Sequence, residues 1–165
     1  MPEDAPTNPF DPATNPDRHY IWERLIRADT EAFVTSDWSM IEGDFDAQQF
    51  EGIRCNHSDN PDDWAIVFPR LENYRDSWLL ASADFLKKKF LNLTHAEAIY
   101  RRCRLDRIDL LGDRALVHKK FSGEVPLADG STLSGSRQTL YRLHRIENRW
   151  KIVGFLGQMR LDDFS

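Results

Sequence analysis

The chain has 165 residues, with 22 basic and 27 acidic side chains and a net charge of −5 at pH 7. This length fits one domain, and the ten Phe, five Trp and four Tyr residues exclude a disordered chain, which is poor in aromatic side chains. No apolar run approaches the roughly 18 residues of a membrane-spanning helix, so no membrane association is expected. The net acidity also argues against nucleic-acid binding.

The first residues, MPEDAPTNPFDPATNP, are acidic and rich in proline. They lack the basic region and the apolar run of a signal peptide, and they show no helical or strand periodicity. We therefore expect a flexible arm over 1–16, followed by a single domain over 17–165. Two cysteines, Cys55 and Cys103, are too few for a disulfide scaffold, so the expected location is the reducing cytoplasm.

Helical spacing of apolar residues dominates the first half of the domain. It predicts a long amphipathic helix from Asp17 to about Ser36, a short helix over 38–45 and a third helix over 69–85. Short strands are expected at 50–55 and 65–68. The stretch NHSDNPDDW between those strands has the composition of a turn.

The second half is typical of strands joined by tight turns. Four long strands are predicted at about 97–111, 114–126, 132–146 and 149–161. A bulge near Asp106 is expected, because the alternation of apolar side chains changes phase there. Helices followed by an antiparallel meander predict an α+β fold.

The turns set the expected pairing of these strands. A two-residue loop at Glu147-Asn148 places Leu143 opposite Ile152, and a two-residue loop at Asp129-Gly130 places His118 beside Tyr141. The predicted inner face carries Trp150, Leu143, Ile152, Tyr141 and Leu156. The predicted outer face carries Val117, Phe121, Leu140, Val153 and Phe155. A slip of one residue in register would exchange the two faces.

Three features of the sequence resemble the nuclear-transport-factor-2-like superfamily. They are the helix junction EAFVTSDWSMIEGDF at 31–45, the turn-linked strands from 97 onward and the segment NRWKIVGF at 148–155. The resemblance implies three N-terminal helices packed on a strongly curved antiparallel sheet with four long C-terminal strands, a cone-shaped, cystatin-like roll. Such a fold encloses a cavity, and its outer sheet face often forms a homodimer.

The resemblance leaves several functions open, because this superfamily hosts many chemistries. A SnoaL-like or ketosteroid-isomerase-like protein would bind a small apolar or cyclic molecule and act on it as an acid–base lyase, isomerase or dehydratase. The closing segment WKIVGFLGQMRLDDF is similar to the end of ring-hydroxylating dioxygenase β subunits, which are mainly structural. A ligand-binding module without catalysis is the third possibility.

The predicted catalytic residues are Asp29, His118 and Tyr141. Asp29 interrupts the apolar stripe of the first helix, where a carboxylate needs a partner. His118 titrates near neutrality, and Tyr141 can donate a hydrogen bond to a developing oxyanion. The predicted substrate-binding residues are Arg101, Arg137, Trp22, Trp78 and His57. For each of these residues a structural role is the alternative.

Metal binding is not expected, because the sequence contains no CxxC, HExxH or HxH spacing. Its glycines fall in turns and strands and form no phosphate-binding loop. The sequence therefore predicts no metal and no cofactor. The expected partners are a small organic ligand in the cavity and a second copy of the chain on the outer sheet face.

Overall fold

The computed structural model of this chain describes residues 6–162. Its first element is a continuous helical rod made of helix α1 (Pro16–Trp22), a π-helical segment (Glu23–Ala28) and helix α2 (Asp29–Thr35). Proline suits the first turn of a helix, where no carbonyl partner is available for a backbone N–H. The rod ends at Ser36, whose φ of 52° lies in the left-handed region. It follows the predicted first helix closely.

Short elements connect the rod to the next long helix. Two 3₁₀ turns, Trp38–Met40 and Glu42–Asp44, occupy the place of the predicted short helix. Strand β1 (Glu51–Arg54) and strand β2 (Ala65–Phe68) lie where short strands are predicted, and they pair antiparallel with a 3₁₀ turn at Pro61–Asp63 between them. Helix α3 follows at Leu71–Leu86.

The strand predicted over 97–111 is wrong in its first part, because helix α4 (His95–Arg102) precedes strand β3 (Cys103–Leu111). A capping box explains this helix: the Thr94 hydroxyl accepts the Glu97 N–H at 3.1 Å. In return, the Glu97 carboxylate accepts the Thr94 N–H at 2.8 Å. The two bonds satisfy N–H groups that a helix start leaves without partners.

The remaining strands are β4 (Arg114–Phe121), β5 (Val125–Pro126), β6 (Thr132–Leu133), β7 (Arg137–Ile146) and β8 (Arg149–Met159). Six strands form one sheet in the order β2-β1-β8-β7-β4-β3, and β5 and β6 form a separate ribbon. All pairs in the large sheet are antiparallel except β1 with β8. Gly154 permits that contact, since a Cβ there would lie 2.6 Å from the Glu51 carbonyl oxygen. The α+β fold is confirmed.

The bulges of the sheet lie partly where the sequence indicates. The pairing of β3 with β4 shifts between Arg104 and Arg107, which matches the bulge predicted near Asp106. Two further shifts interrupt the pairing of β7 with β8, between Gln138 and Leu140 and between Arg142 and Leu143. Each bulge changes which residues of a strand face the helices.

The predicted register holds at one turn and fails at the other. Glu147 and Asn148 form the two-residue turn, with φ of 52° and 63°, and Leu143 pairs with Ile152. The second hairpin has a three-residue loop instead, because the Leu127 N–H bonds to Ser131 and Gly130 has a φ of 89°. Consequently Val117, not His118, pairs with Tyr141.

These shifts correct the predicted faces of the sheet. Val117, Phe121 and Phe155 belong to the inner face, since they pack with the core between sheet and helices. Leu156 pairs with Leu140 on the opposite side. A loop longer by one residue and the two bulges in β8 are sufficient to cause the exchange.

The core fills the space between the helices and the inner face. Its aromatic part includes Trp38, whose ring lies 5.2 Å from Phe45 and 5.3 Å from Trp78. The described part of the N-terminal arm packs on the first helix, where the Asn8 amide donates to the His19 carbonyl at 3.1 Å. Residues 1–5 and 163–165 lie outside the described residues. Among the helices described, none is long and apolar enough to cross a membrane.

Candidate functional site

A cavity of about 550 Å³ lies between the helices and the inner face of the sheet. Aromatic rings form most of its apolar wall: Phe33, Phe68, Trp78, Phe85, Phe121 and Phe155. Polar groups line it as well, namely Asp29, Thr30, Tyr74, Lys119, Thr139 and Tyr141. Ligand sites commonly combine an apolar cavity with a few polar groups in this way.

The cavity wall contains an ion pair between the buried Lys119 of β4 and the partly exposed Asp29 of α2. The Lys119 Nζ lies 2.9 Å from the Asp29 Oδ2, and it donates a second hydrogen bond to the Leu25 carbonyl at 2.6 Å. The Lys119 side chain is 3% exposed, whereas the Asp29 side chain is 30% exposed. The ammonium is therefore enclosed, while the carboxylate remains accessible from the cavity.

The π-helical segment explains why the Leu25 carbonyl is available. The Asp29 N–H bonds to the carbonyls of Arg24 and Ile26 and passes over the Leu25 carbonyl. A regular α-helix would pair residue 29 with residue 25. The widened turn leaves a backbone acceptor for Lys119 and places Asp29 directly after the irregularity, a position at which π-bulges often serve functional sites.

The charges of this cluster affect neighbouring groups. Burial is the largest single influence on the pKa of Lys119 and lowers it, but Asp29, Cys103 and Tyr74 together raise the pKa above its usual value. Burial raises the pKa of Tyr141, and the Asp29 charge raises it further. The pKa of Tyr74 is also raised, by burial first and then by Tyr141, to which it is hydrogen-bonded. Both phenols therefore stay protonated at neutral pH.

Basic side chains collect where β1, β4 and β7 reach one end of the cavity. Arg137 starts β7 and lies over the Phe121 ring at 4.7 Å. Arg54 ends β1 and lies over the Phe68 ring at 5.6 Å. Arg102 of α4 donates to the carbonyls of Gly123 and Gly135, which ties the β5–β6 ribbon region to the helix.

Four residues predicted from the sequence line this cavity together. Asp29 and Trp78 reach it from the helices, and Tyr141 and Arg137 reach it from β7. Tyr141 and Arg137 share a side of the strand because they are four residues apart. Their roles in binding or catalysis stay predictions.

His118 lies on the other side of the sheet from Tyr141, which corrects the predicted proton-transfer pair. Its neighbour Lys119 faces the cavity, so His118 faces outward, where its Nε2 lies 3.7 Å from the Asp109 Oδ2. Burial lowers the pKa of His118, and the Arg107 charge lowers it further. The cause is the three-residue loop, which shifts the strand by one position.

Three more predicted residues lie outside the cavity lining. Arg101 is exposed on α4, because a helix turns Ala98, Ile99 and Arg102 toward the cavity instead. Trp22 is buried in the core, with the Arg27 guanidinium 5.2 Å from its ring. His57 is exposed in the turn after β1, with a φ of 56°.

Lys119, the basic member of the ion pair, was not predicted from the sequence as a site residue. The sequence does place Lys119 between Val117 and Phe121 on one face of β4, and a lysine among apolar residues indicates a buried partner. That face could be assigned to the cavity only with the correct strand register. Tyr74 lies four residues before Trp78 in the same helix. This spacing indicates that both side chains point to the same side of the helix. Within residues 6–162 no cluster of three or more His, Cys, Asp or Glu residues is suited to hold a metal ion.

Comparisons with known proteins agree on the fold. No protein-family model matches the chain, and no curated protein is detectably similar in sequence. Solved structures do match. A domain of unknown function with a cystatin-like fold from Nostoc punctiforme has a TM-score of 0.60 at 14% identity, covering 91% of this chain and 81% of that chain.

Two further structures carry the superfamily name. A nuclear-transport-factor-2-like superfamily protein from Salmonella enterica has a TM-score of 0.54 at 13% identity, covering 87% of this chain and 91% of that chain. One of unknown function from Shewanella baltica has a TM-score of 0.53 at 14% identity, covering 87% and 94%. The chain has the nuclear-transport-factor-2-like fold, a cone-shaped α+β roll, as the sequence predicted.

Proposed function

We propose that this chain binds a small, largely apolar organic molecule in the cavity and performs acid–base chemistry on it. The observation that carries the proposal is the Asp29–Lys119 pair, whose carboxylate faces an aromatic cavity of about 550 Å³. Enclosing the ammonium of such a pair is costly compared with apolar packing. Its position on the cavity wall, beside two tyrosines, favours a chemical role over a purely structural one.

In the proposed reaction Asp29 is the base, and it removes a proton from a carbon next to a carbonyl group. The electron pair moves to the carbonyl oxygen, and the Tyr141 hydroxyl donates a hydrogen bond to the resulting oxyanion. The Lys119 ammonium donates to the Asp29 carboxylate and to the Leu25 carbonyl, and these two contacts hold the carboxylate in place. In a β,γ-unsaturated ketone the enolate extends over the neighbouring double bond. Return of the proton to the γ carbon then re-forms the carbonyl, moves the double bond into conjugation with it and completes an isomerisation.

Binding is tested with 2-tetralone, a cyclic ketone with an aromatic ring, by following the fluorescence of Trp78 and the other tryptophans. We expect saturable binding to the wild type and its loss in Ser77→Trp, because Ser77 lines the cavity and an indole there fills it. Leu80→Trp is the matched control, since Leu80 is exposed on the same helix. Equal binding by both variants would place the ligand elsewhere.

Catalysis is tested by deuterium exchange into 2-tetralone in heavy water, followed by NMR. Replacing Tyr141 with Phe removes the hydroxyl and keeps the ring, and we expect exchange to slow by about 100-fold. Arg142→Gln changes a polar group on the opposite side of the same strand, outside the cavity lining, and serves as the control. Exchange that proceeds at the wild-type rate in Tyr141→Phe would refute the assigned role of that hydroxyl.

We also propose a homodimer through the outer sheet face and a reducing, cytoplasmic location. Leu116, Leu140 and Leu156 are half-buried on that face, beside Arg142 and His144. Both cysteines are unpaired thiols, as is usual in a reducing compartment. Native mass spectrometry should give twice the mass of one chain, and Leu140→Lys should give a monomer. A wild-type monomer would contradict the proposed dimer.

A further inference from the structure

The charge of the cavity wall is opposite to that of the whole chain. Among the described residues, five basic side chains line the cavity, Arg54, Lys88, Arg102, Lys119 and Arg137, against two acidic ones, Asp29 and Asp84. The chain as a whole carries −5. Low-dielectric walls concentrate the field of such a local excess, so the cavity attracts anions.

Two of these basic groups are occupied by the protein itself. Lys119 is paired with Asp29, and the Arg102 guanidinium donates to two backbone carbonyls. Arg54 and Arg137 are held differently: within residues 6–162 each guanidinium lies over a Phe ring and pairs with no carboxylate. Stacking on a ring fixes the plane of a guanidinium and leaves its N–H edge available to a planar anion.

The sheet brings the two arginines to one end of the cavity. Arg54 pairs with Gly157 of β8, and β8 separates β1 from β7, on which Arg137 lies. Two strand spacings amount to about 10 Å. Thr139 and Tyr141 follow Arg137 along the same face of β7 and lead from this basic end toward the Asp29–Lys119 pair.

We propose that the ligand of this cavity is an organic carboxylate, with its carboxylate group held by Arg137 and Arg54 and its apolar ring system lying along the aromatic wall toward Tyr141. This inference rests on the proposed function and names the substrate class. The arginine forks match the two oxygens of a carboxylate, and the rings of Phe33, Trp78 and Phe155 match an apolar body.

The helices favour a carboxylate over a phosphate ester. Phosphate sites commonly use the N-terminus of a helix, where free N–H groups and the helix dipole attract the dianion. Here α3 lines the cavity with Tyr74 and with residues from Ser77 to Phe85, and α4 lines it with Ala98, Ile99 and Arg102, so neither helix presents its first three residues to the cavity. The anion is therefore bound by side chains, which suits a single negative charge.

The experiment compares three ligands of one shape: 2-naphthoate, its neutral amide 2-naphthamide, and 2-naphthyl phosphate. Dissociation constants are measured by isothermal titration calorimetry at pH 7. We expect 2-naphthoate to bind at least about tenfold more tightly than the amide, the difference that one charge-assisted contact gives. Equal affinities for acid and amide would overturn the carboxylate assignment and leave the proposed binding cavity in place.

Single-residue variants then test which arginines bind the carboxylate group. Arg137→Gln should weaken 2-naphthoate binding by about tenfold and leave 2-naphthamide unchanged, with a similar result for Arg54→Gln. Arg142→Gln, on the opposite side of β7, is the matched control and should change neither. Tighter binding of the phosphate ester than of the acid would overturn the assignment as well. Failure of all three ligands to bind would overturn both this inference and the proposed function.

Discussion

Asp44 and Asp29 are two inward-facing carboxylates with basic partners, and the two sites differ in what remains accessible. Arg24 contacts both oxygens of Asp44, with Nε at 2.9 and 3.0 Å, and Arg149 adds a contact at 3.3 Å. The Asp44 side chain is 6% exposed. Asp29 has Lys119 as its ion-pair partner and keeps 30% of its side chain exposed.

The basic partners of the two carboxylates differ in exposure in the opposite direction. Arg24 and Arg149 are 28% and 46% exposed, so water still solvates them, whereas Lys119 is 3% exposed. In the Asp44 cluster the acid is enclosed and the bases reach solvent. In the cavity pair the base is enclosed and the acid reaches the cavity. We propose a chemical role for the second arrangement alone, because it presents a carboxylate to the cavity while its counter-charge stays fixed, whereas Asp44 lies outside the cavity lining.

The largest effect is expected for Asp29→Asn, because it leaves the enclosed Lys119 ammonium without a counter-charge. The free energy of unfolding should fall by about 3–5 kcal/mol, as measured by urea denaturation. The double variant Asp29→Asn/Lys119→Met should recover most of this stability and still lack exchange activity. Recovered activity in the double variant would remove Asp29 from the proposed mechanism.

The next largest effect is a pH dependence of stability caused by Cys103. This buried thiol belongs to the surroundings of the Asp29–Lys119 pair, since the charges of both residues act on it. Burial raises the pKa of its thiol from 9.0 to about 11. Between these values the unfolded chain loses this proton before the folded chain does, so stability falls as pH rises. The stability advantage of wild type over Cys103→Ala should shrink by about 2 kcal/mol from pH 9 to about pH 11. A constant advantage across this range in urea denaturation would contradict the prediction.

A smaller effect is expected for Asp44→Asn, since the two arginines that it leaves unpaired remain partly hydrated. Unfolding free energy should decrease by about 1–2 kcal/mol in the same denaturation assay. Binding of 2-tetralone should be unchanged, because Asp44 lies outside the cavity lining. A loss as large as that of Asp29→Asn would erase the proposed distinction between the two sites.

The smallest effect is expected for His118→Asn, on the outer face of the same strand that carries Lys119. Its contact with Asp109 is long and partly exposed, so the change in stability should be below about 1 kcal/mol. Deuterium exchange into 2-tetralone should proceed at the wild-type rate. A marked slowing would restore the acid–base role that the sequence first indicated for this histidine.

Part of the site could be predicted from the sequence, because it depends on patterns that extend over only a few residues. The interrupted apolar stripe identified Asp29, and the two-residue turn at Glu147-Asn148 correctly aligned Leu143 with Ile152. The error at His118 came from a loop that is longer by one residue. With a side-chain period of two along a strand, that single residue exchanges the cavity face for the outer face.

The sequence by itself determined the class of fold, the long first helix, the bulge near Asp106 and the acidic character of the chain. These follow from periodicity, turn chemistry and composition, which act over a few residues. Only the tertiary structure decided that Lys119 meets Asp29, 90 positions away, at a π-helical turn. That contact depends on strand register, on bulges and on one backbone carbonyl left free, and these features arise from the packing of sheet against helix.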